Sequence, residues 1–381
     1  MSLVQFQLRP PILYKYTLIN VIKSFCKKIY KKIIIFIFHS IYGEVRFNKN
    51  TSQNYYNKKI KINDIPYSIF KISDCRIYTD QVSNVAYIRD NFILSGPSIQ
   101  LRHGVIKESS ENVVLKSGTT RFIRNIDGKI LSILSGGAGT HNYWHWLFDV
   151  IPRIFLFEKF YSLNEINKIL VPATKKKFQY QTLNILGIKI KQCIDAMDYR
   201  HIKVKELYVT THPNPASEKI PYWIILLLQK KFLKKNFLKK NYKRFKKIYI
   251  DRSDSDSNVS NFRKIINENL IKIFLIFKGF KIVRLSDYDF IEQMNIFYNA
   301  HCVIGLHGAG FANIIFCKKK TLIVEIKSKT TNNVIKNLAS SSKLRYVNIS
   351  LSPLDKPIGP QFGIVYLPLT RLNSFLLQYD I

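Results

Sequence analysis

The sequence is poor in acidic residues and in cysteine. Its 381 residues include 25 Asp and Glu against 60 Lys and Arg, which gives a formal net charge of +35. The five cysteines are an odd number, and no two of them form a C-x-x-C pair. This pattern argues against a disulfide framework and against a structural zinc site, and it indicates a reducing compartment.

Long apolar runs, internal repeats and low-complexity tracts are also missing. Near the N-terminus the unbroken apolar runs are short, such as residues 33–38, whereas a membrane span needs roughly 20 residues. No small-residue cleavage site follows, which argues against a secretory signal. Hydrophobic residues make up 46% and charged residues 22%. The chain is therefore globular rather than disordered, and its length suits two domains.

The excess of positive charge has two explanations. A field of this sign attracts phosphates, nucleic acid, acidic glycans or an acidic membrane face. Alternatively, the charge reflects the abundance of Ile, Lys and Asn that an AT-rich genome produces.

Two basic segments carry apolar residues among their lysines. Residues 21–38 suit an interfacial helix whose lysines meet anionic headgroups, or an ordinary packed helix with a solvated lysine face. Residues 229–247 hold ten basic residues and no acid. They predict a helical connector between two domains, which either contacts a polyanion or a membrane or presents a solvated face.

Short apolar runs alternate with helical patterns from about residue 75 onward, which predicts an α/β fold with a parallel sheet. The second half is a Rossmann-like succession that runs to about residue 350. Four segments follow: a basic N-terminal segment, an N-terminal α/β domain, the basic connector and a C-terminal Rossmann-like domain, at residues 1–70, 71–228, 229–247 and 248–381. The strands predicted in the second half are 247–250, 280–283, 302–306, 321–326 and 345–349. The helices predicted along the chain are 143–160, 262–277, 290–300 and 311–316.

One candidate site lies in the segment VIGLHGAGFANIIF, residues 303–316. A buried strand runs into a loop with two glycines and then into a helix, whose N-terminal N–H groups suit an anion. His307 stands at the carboxyl end of the strand, where open α/β sheets place ligands, and can donate to a phosphate oxygen. Glu325 ends the next strand and can accept from ribose hydroxyls. There is no G-x-G-x-x-G pattern, so a tight turn with a capping histidine is the alternative.

A second candidate site follows the strand at 248–250. Arg252 at the strand end, with Arg263 eleven residues later, suits bidentate recognition of phosphate. The loop also contains Asp254-Ser255-Asp256. Such a pair of carboxylates could hold a divalent cation on a diphosphate, although Asp and Ser are also ordinary turn residues.

The third candidate site is GGAGTHNYWHWLFDVIPRIFLFEKF, residues 136–160. His141, His145 and Asp149 are spaced four apart, and Arg153 continues the series, so a helix would place them on one face. A histidine and a carboxylate beside aromatic rings suit a sugar-acceptor site with a general base. A zinc site and a merely amphipathic, capped helix are the alternatives.

Together these segments resemble glycosyltransferase family 61, an inverting family that includes bacterial capsule and lipopolysaccharide transferases. The resemblance covers about residues 130–350 and depends on the order and spacing of its parts. Those parts are HNYWHWLFDVIPR (141–153), IYIDRSD (248–254), IINE (265–268) with Gly279-Phe280 and Glu292-Gln293 behind it, and the segment 304–325. The loop Cys317-Lys318-Lys319-Lys320 departs from the Pro-Gly turn common in the family.

The resemblance implies a GT-B-like architecture, in which two Rossmann-like domains face a cleft. It implies an inverting hexosyl- or pentosyltransferase that moves a sugar from a nucleotide-sugar donor to a glycan or lipid-linked glycan of a cell-surface polysaccharide. No metal and no cofactor are expected. By carry-over, the nucleotide sugar contacts Arg252, His307, Gly308, Ala309, Gly310, Asn313 and Glu325. The acceptor side comprises His141, Asn142, Trp146 and Arg153, and the base is Asp149 or, as the second choice, His145.

The expected location is cytoplasmic and peripheral, on the inner face of the membrane, with an anionic membrane surface as a further partner and no specific nucleic acid. Two alternatives remain open from the sequence. One is a noncatalytic basic protein that binds polyanionic glycan or nucleic acid, and the other is a degenerate transferase that binds nucleotide without turnover.

Overall fold

The computed structural model describes residues 12–48, 55–79, 85–102, 105–134, 141–215, 219–238, 245–254, 263–355, 359 and 363–381. Strands alternate with helices over most of this length, and the fold class is α/β, as the sequence predicts. The predicted Asp254-Ser255-Asp256 cation site lies partly outside the described residues, as does the second half of the predicted basic connector.

The strands are numbered in chain order. They are β1 (Arg46–Phe47), β2 (Tyr56–Ile62), β3 (Ile65–Thr79), β4 (Val85–Arg89), β5 (Phe92–Ile93), β6 (Gln100–Arg102), β7 (Val105–Lys107), β8 (Arg124–Ser132), β9 (Lys168–Val171), β10 (Cys193–Asp195), β11 (His201–Thr210), β12 (Lys247–Asp251), β13 (Lys264–Ile265), β14 (Lys281–Arg284), β15 (Cys302–Leu306), β16 (Leu322–Ser328), β17 (Arg345–Leu351) and β18 (Ile364–Val365).

The α-helices are α1 (Ile12–Tyr42), α2 (Val114–Ser117), α3 (Tyr143–His145), α4 (Ile151–Phe157), α5 (Lys177–Ile185), α6 (Tyr222–Phe232), α7 (Glu268–Phe277), α8 (Phe290–Asn299), α9 (Val334–Ser341) and α10 (Leu369–Gln378). A π-helical turn, Trp146–Val150, joins α3 to α4. Short 3-10 helices span Ser109–Glu111, Leu163–Glu165, Ile190–Gln192, Leu285–Asp287 and Ala309–Phe316.

The C-terminal half contains a wholly parallel sheet in the order β14-β12-β15-β16-β17. Every residue of β15 and β16 is buried, as expected of strands covered by helices on both faces. Counted within this half, the strand order is 2-1-3-4-5, so the direction of winding reverses between β12 and β15. Ligands of open α/β sheets bind beside the carboxyl ends of the strands at such a point. The predicted Rossmann-like succession is confirmed here.

The N-terminal half corrects the expectation of a second Rossmann-like sheet. In the described part of the chain, nine strands form one mixed sheet, whose path is β1-β5-β4-β3-β11-β8-β9-β10 with β2 added on β3. Strands β11, β8, β9 and β10 are parallel to one another, but β2, β3 and β4 pair antiparallel. The long strand β3 explains the difference, because it follows β2 and precedes β4 closely in the chain, which suits antiparallel pairing, and it also pairs antiparallel with the distant strand β11.

The two halves share their largest hydrophobic core. Buried residues of α4, α6 and α8 lie in one cluster with those of the 3-10 helix Ala309–Phe316. Polar contacts reinforce the packing: the Gln229 amide donates to the Ile315 carbonyl at 2.7 Å, and the Phe290 N–H donates to Gln181 at 2.7 Å. Elements from both halves are therefore held against each other beside the strand ends of the C-terminal sheet.

Two predicted helices have different bounds in the structure. The helix predicted at 262–277 begins at Glu268, because residues 264 and 265 instead pair with β18, a partner a hundred residues away that local periodicity does not show. Among its described residues, the basic connector is helical only at its start, since α6 begins at Tyr222 and ends at Phe232. The segment 290–300 is confirmed as α8.

Helix α1 is attached to the protein through its last two turns. Phe38 packs on Phe122 with ring centroids 5.2 Å apart, and the Tyr42 hydroxyl accepts a hydrogen bond from the Ile123 N–H at 3.2 Å. Gly43 ends the helix with a left-handed φ of 80°, a conformation that glycine adopts without strain. Within the described residues, no helix has both the length and the apolar character that a membrane span requires.

The burial of His201, beneath the end of α1, leads us to expect that the protein loses stability in acid. It is 2% exposed and donates from Nδ1 to the Arg121 carbonyl at 2.7 Å. Burial lowers its pKa from the ordinary 6.5 to about 4. Between pH 6.5 and pH 4 His201 is protonated in the unfolded chain but neutral in the folded protein. Its contribution to the free energy of unfolding is therefore complete above pH 6.5 and is lost as the pH falls towards 4. We expect this protonation to lower the free energy of unfolding by about 2 kcal/mol between pH 7 and pH 5.

Urea unfolding at pH 7, 6 and 5 measures this loss. In His201→Gln, whose amide does not titrate, the loss between pH 7 and pH 5 should be smaller than in the wild type by about the same 2 kcal/mol. Equal losses in the two proteins would show that His201 does not set the acid sensitivity.

Candidate active site

The helical segment at residues 143–157 changes its pitch at the candidate residues. Asn142 caps its start, accepting a hydrogen bond from the Trp144 N–H at 3.0 Å. In the turn Trp146–Val150 the hydrogen bonds are of the π type. Pro152 follows; it has no N–H to donate, and in a regular α-helix its ring clashes with the carbonyl four residues earlier. The π turn accommodates that proline, and such turns are frequent at functional sites.

His145 and Asp149 form a histidine–carboxylate pair across this turn. His145 Nδ1 lies 2.5 Å from Asp149 Oδ2. The Asp149 side chain is 2% exposed, whereas that of His145 is 26% exposed. Since Nδ1 faces the carboxylate, Nε2 is the nitrogen that His145 offers to a substrate.

A second histidine faces the other oxygen of Asp149. His212, just beyond β11, places Nε2 4.0 Å from Asp149 Oδ1. Burial lowers the pKa of His212 to about 4 despite the carboxylate beside it, so the ring is neutral at neutral pH. Burial by itself raises the pKa of Asp149, but the two histidines and Arg153 more than offset this and keep it below its ordinary value. Asp149 is therefore an ionised group enclosed by imidazoles.

The structure corrects the predicted acceptor roles of Arg153 and Trp146. Arg153 is 4% exposed, and its guanidinium donates to the carbonyls of Asp149 and Thr210 at 3.1 and 2.7 Å. Trp146 is fully buried, and its indole N–H donates to Thr182 at 2.8 Å. A side chain without exposed surface cannot touch an acceptor, so both residues position the turn.

His141 lies outside the helical face on which the sequence places it, and Asn142, predicted on the acceptor side, lies next to it. Both are exposed and both precede α3. Of the predicted series, His145 and Asp149 are therefore the two residues that share a helical face and whose side chains pair with each other. Asn142 has a clear local role as the helix cap, and the exposed His141 has no fixed position on that face.

A second cluster lies at the carboxyl ends of β12 and β15, where the winding of the parallel sheet reverses. Arg252 follows β12 and donates through Nη1 to the His307 carbonyl at 2.6 Å. Gly308 lets the guanidinium lie against the backbone, since a Cβ there would be 2.9 Å from Arg252 Nε. Gly310 similarly admits Leu285, whose Cδ1 would be 2.7 Å from a Cβ. The predicted residues Arg252, His307, Gly308 and Gly310 are thus brought together, with Ala309 opening the 3-10 helix between the glycines.

The charges of this second cluster favour an anion. Burial, and then repulsion by Arg252, lower the pKa of Arg263 to about 9, and burial also lowers that of Arg252. Burial also lowers the pKa of His307; Glu325 opposes this, and the two arginines add to the lowering. Two partly buried guanidinium groups that repel each other are stabilised by a bound negative charge.

Glu325 is not available to a ribose, which corrects its predicted role. It is fully buried, one carboxylate oxygen pairs with His307 Nδ1, and the other accepts from the Tyr346 hydroxyl. Burial, and then Glu325, raise the pKa of Tyr346, which therefore remains a donor. Glu325 orients His307, as Asp149 orients His145.

Asn313 is likewise occupied by protein contacts rather than exposed to a nucleotide. It is fully buried, accepts from the Tyr143 hydroxyl at 2.6 Å and donates to Gln293 at 3.1 Å. Tyr143 lies two residues before His145, and Asn313 lies in the helix that follows His307. The hydrogen bond between Tyr143 and Asn313 therefore joins the helical segment that carries His145 to the 3-10 helix that follows His307.

Residues 143–324 match the family model described as Glycosyltransferase 61. This segment, a little under half of the chain, is similar to glycosyltransferase family 61. The matched region contains His145, Asp149, Arg252 and His307, and its last residue precedes Glu325. No curated protein matches the chain. The predicted resemblance is confirmed, and the chain is a glycosyltransferase.

Sequence reasoning missed two residues of this transferase, His212 and Tyr346. His212 stands just after β11, a strand of the parallel part of its sheet, and that position at a strand end was the available signal. Tyr346 is the second residue of β17, and nothing in its local sequence indicates that it reaches Glu325. The described residues contain no cluster of three or more His, Cys, Asp or Glu side chains placed to hold a metal ion.

Proposed function

We propose that this enzyme transfers a sugar from a nucleotide-sugar donor to a glycan acceptor by a single displacement that inverts the anomeric carbon. The observation that carries the proposal is the pair of partly buried arginines, Arg252 and Arg263, beside His307 at the reversal point of the parallel sheet. A diphosphate bound here would place its negative charge beside both guanidinium groups. The mixed N-terminal half then provides the acceptor side of a GT-B-like arrangement.

The second cluster stabilises the departing nucleoside diphosphate. Negative charge grows on the bridging oxygen as the glycosidic bond breaks, and fixed positive groups lower the energy of that state. Arg252 and Arg263 provide positive charge, and His307 lies beside them in the orientation that Glu325 fixes. The backbone after Gly308 can approach the phosphate closely because this residue lacks a Cβ.

His145 is the base in this proposal, with Asp149 as its positioning residue. This reverses the order of preference from the sequence, because Asp149 is buried while His145 keeps an exposed edge. Nε2 of His145 accepts the proton of the attacking acceptor hydroxyl. The Asp149 carboxylate holds the proton on Nδ1 and stabilises the imidazolium that forms.

Two measurements test the function. The enzyme is incubated with UDP-, GDP-, ADP-, CMP- and dTDP-sugars and a panel of glycan acceptors; transfer is detected by mass spectrometry and the anomeric configuration by NMR. We expect one donor class, and a product of inverted configuration. A retained configuration would contradict the single displacement. A noncatalytic polyanion-binding protein would instead show no transfer and a steep loss of glycan affinity with salt.

Gly308→Ala tests whether the close approach of Arg252 matters for the donor. Residue 308 is in extended conformation, so alanine introduces no backbone strain, but its methyl group would displace the guanidinium. We expect about a tenfold weaker Kd for the nucleoside diphosphate of the active donor class, the equivalent of one weakened charged hydrogen bond. Isothermal titration calorimetry measures the change.

A double variant isolates the cause. If Gly308→Ala acts by moving Arg252, it should weaken binding little further in an Arg252→Gln background. Full additivity of the two losses, or wild-type binding by Gly308→Ala, would contradict the proposed contact.

A further inference from the structure

Helix α1 presents an apolar stripe to solvent. Ile22, Phe25, Ile29, Ile33 and Phe36 follow one another at intervals of three or four residues and therefore lie on one face of the helix. Each of these side chains is at least 43% exposed, and Phe36 is 72% exposed. Single exposed apolar residues are ordinary on protein surfaces, but a continuous stripe of them marks an interaction surface.

Within the described part of the chain, the stripe does not take part in packing α1 onto the other elements. A different face makes those contacts: Ile35 and His39 lie over Gly118, Phe38 packs on Phe122, and Tyr42 meets His201 edge-on. These contacts all fall in the last two turns. Residues 20–34, which form about 22 Å of helix at 1.5 Å per residue, are exposed or only partly buried.

The charge of α1 is of one sign. The 31 residues of the helix include six lysines and neither Asp nor Glu. Lys28 and Lys32 lie along one edge of the apolar stripe, and Lys23, Lys27 and Lys31 lie on the face opposite it. All five of these lysines are exposed. A partner that fits both the apolar stripe and these lysines combines an apolar interior with a negatively charged surface.

We propose that the exposed face of α1 binds an anionic phospholipid bilayer, with the helix lying in the plane of the membrane. The stripe enters the boundary between headgroups and acyl chains, and the lysines at its edge extend to the phosphates. The net charge of +35 for the chain adds a long-range attraction to an anionic surface. A second copy of the chain is a poorer partner, because packing two such helices together would place their lysines near one another without an acid to pair them.

Flotation of the full-length protein with vesicles tests this proposal. The vesicles are phosphatidylcholine alone or phosphatidylcholine with 30% phosphatidylglycerol. We expect strong binding to the anionic vesicles and weak binding to the neutral ones. Phe25→Ser, Ile29→Ser and Ile33→Ser combined should lower the partition coefficient more than a hundredfold, because three apolar side chains no longer leave water. Lys28→Gln with Lys32→Gln should lower it roughly tenfold or more, since each lysine near an anionic surface contributes about fivefold.

A matched control variant distinguishes the helix from exposed apolar surface in general. Leu270→Ser, Ile273→Ser and Phe277→Ser remove three side chains from another exposed stripe, on α7, each of them at least 53% exposed. This control should bind anionic vesicles as the wild type does, and circular dichroism verifies that each variant is folded. Wild-type binding by the α1 triple variant, or an equal loss in the control, would overturn the assignment to α1.

Analytical ultracentrifugation without lipid tests the other occupant of the stripe. The wild type and the α1 triple variant should sediment with the same mass. A self-associated wild type that the triple variant makes monomeric, without any change in vesicle binding, would show that the stripe binds a second copy. Since none of these measurements uses sugar transfer, their outcome is independent of the proposed function.

Discussion

Replacing His145 with glutamine should lower kcat by about 10²–10⁴-fold, the range typical of losing a general base. Glutamine has nearly the length of histidine and can still hydrogen bond to Asp149, so the turn should keep its shape. It cannot accept a proton at neutral pH. The Kd for the nucleoside diphosphate should remain unchanged, because that ligand contacts the second cluster around Arg252 and His307. Steady-state kinetics of transfer and calorimetry of nucleotide binding measure the two quantities separately.

His141→Gln is the matched control for this variant. His141 is exposed and precedes the helix cap, so the same substitution four residues earlier should leave kcat within about twofold of the wild type, as for surface changes generally. Wild-type turnover by a folded His145→Gln variant would exclude His145 as the base. Equal losses in both variants would point to a general effect on the loop.

Asp149→Asn separates the base from its positioning residue. The amide keeps the volume of the carboxylate but no longer fixes the proton on Nδ1 or stabilises the imidazolium; the equivalent change in protease triads costs about 10⁴-fold in kcat. The Asp149→Asn variant should remain folded by circular dichroism, because the amide fills the same volume. A purely structural role would instead lower the amount of folded enzyme without lowering kcat per folded molecule.

The parts of the fold that were predicted from the sequence are those that depend on local pattern. In the C-terminal half, the five predicted strands lie within two residues of the observed bounds, because strands buried on both faces read as short apolar runs. The N-terminal sheet was mispredicted because strand direction is not a local property. Strand β3 pairs antiparallel with β11, which follows more than a hundred residues later.

The residues of the candidate site also fall into those that local sequence predicts and those that only tertiary packing determines. His145 and Asp149 were predicted because a spacing of four places them together on one helical turn, and Arg252 and His307 because strand ends converge in a parallel sheet. Glu325 was misassigned because sequence position does not reveal burial. The covering residue, Tyr346, belongs to the neighbouring strand β17 and reaches across to the carboxylate. His212 was missed because its approach to Asp149 depends on the packing of the turn at residues 146–150 against β11.

The order of strands is also the reason why we expect a large loss of nucleotide affinity when Arg252 is replaced. Because β12 and β15 are neighbours, the residues that follow them meet at one point, and the Arg252 guanidinium lies over the backbone of His307 and Gly308. A planar guanidinium binds phosphate oxygens through two parallel N–H groups. Arg252→Gln should therefore weaken the Kd for the nucleoside diphosphate of the active donor class about 10²-fold, equivalent to about 3 kcal/mol for charged hydrogen bonds.

Two further variants show whether charge or geometry is lost. Arg252→Lys keeps the charge but not the planar fork, so it should recover only part of the affinity. Arg284→Gln is the matched control, because Arg284 also ends a strand of the same sheet but is exposed and paired with Asp287 at 2.8 Å. Its Kd should equal that of the wild type. If Arg252→Gln bound the nucleotide as tightly as Arg284→Gln, the diphosphate could not lie at the reversal point, and the donor site would have to be sought elsewhere on the enzyme.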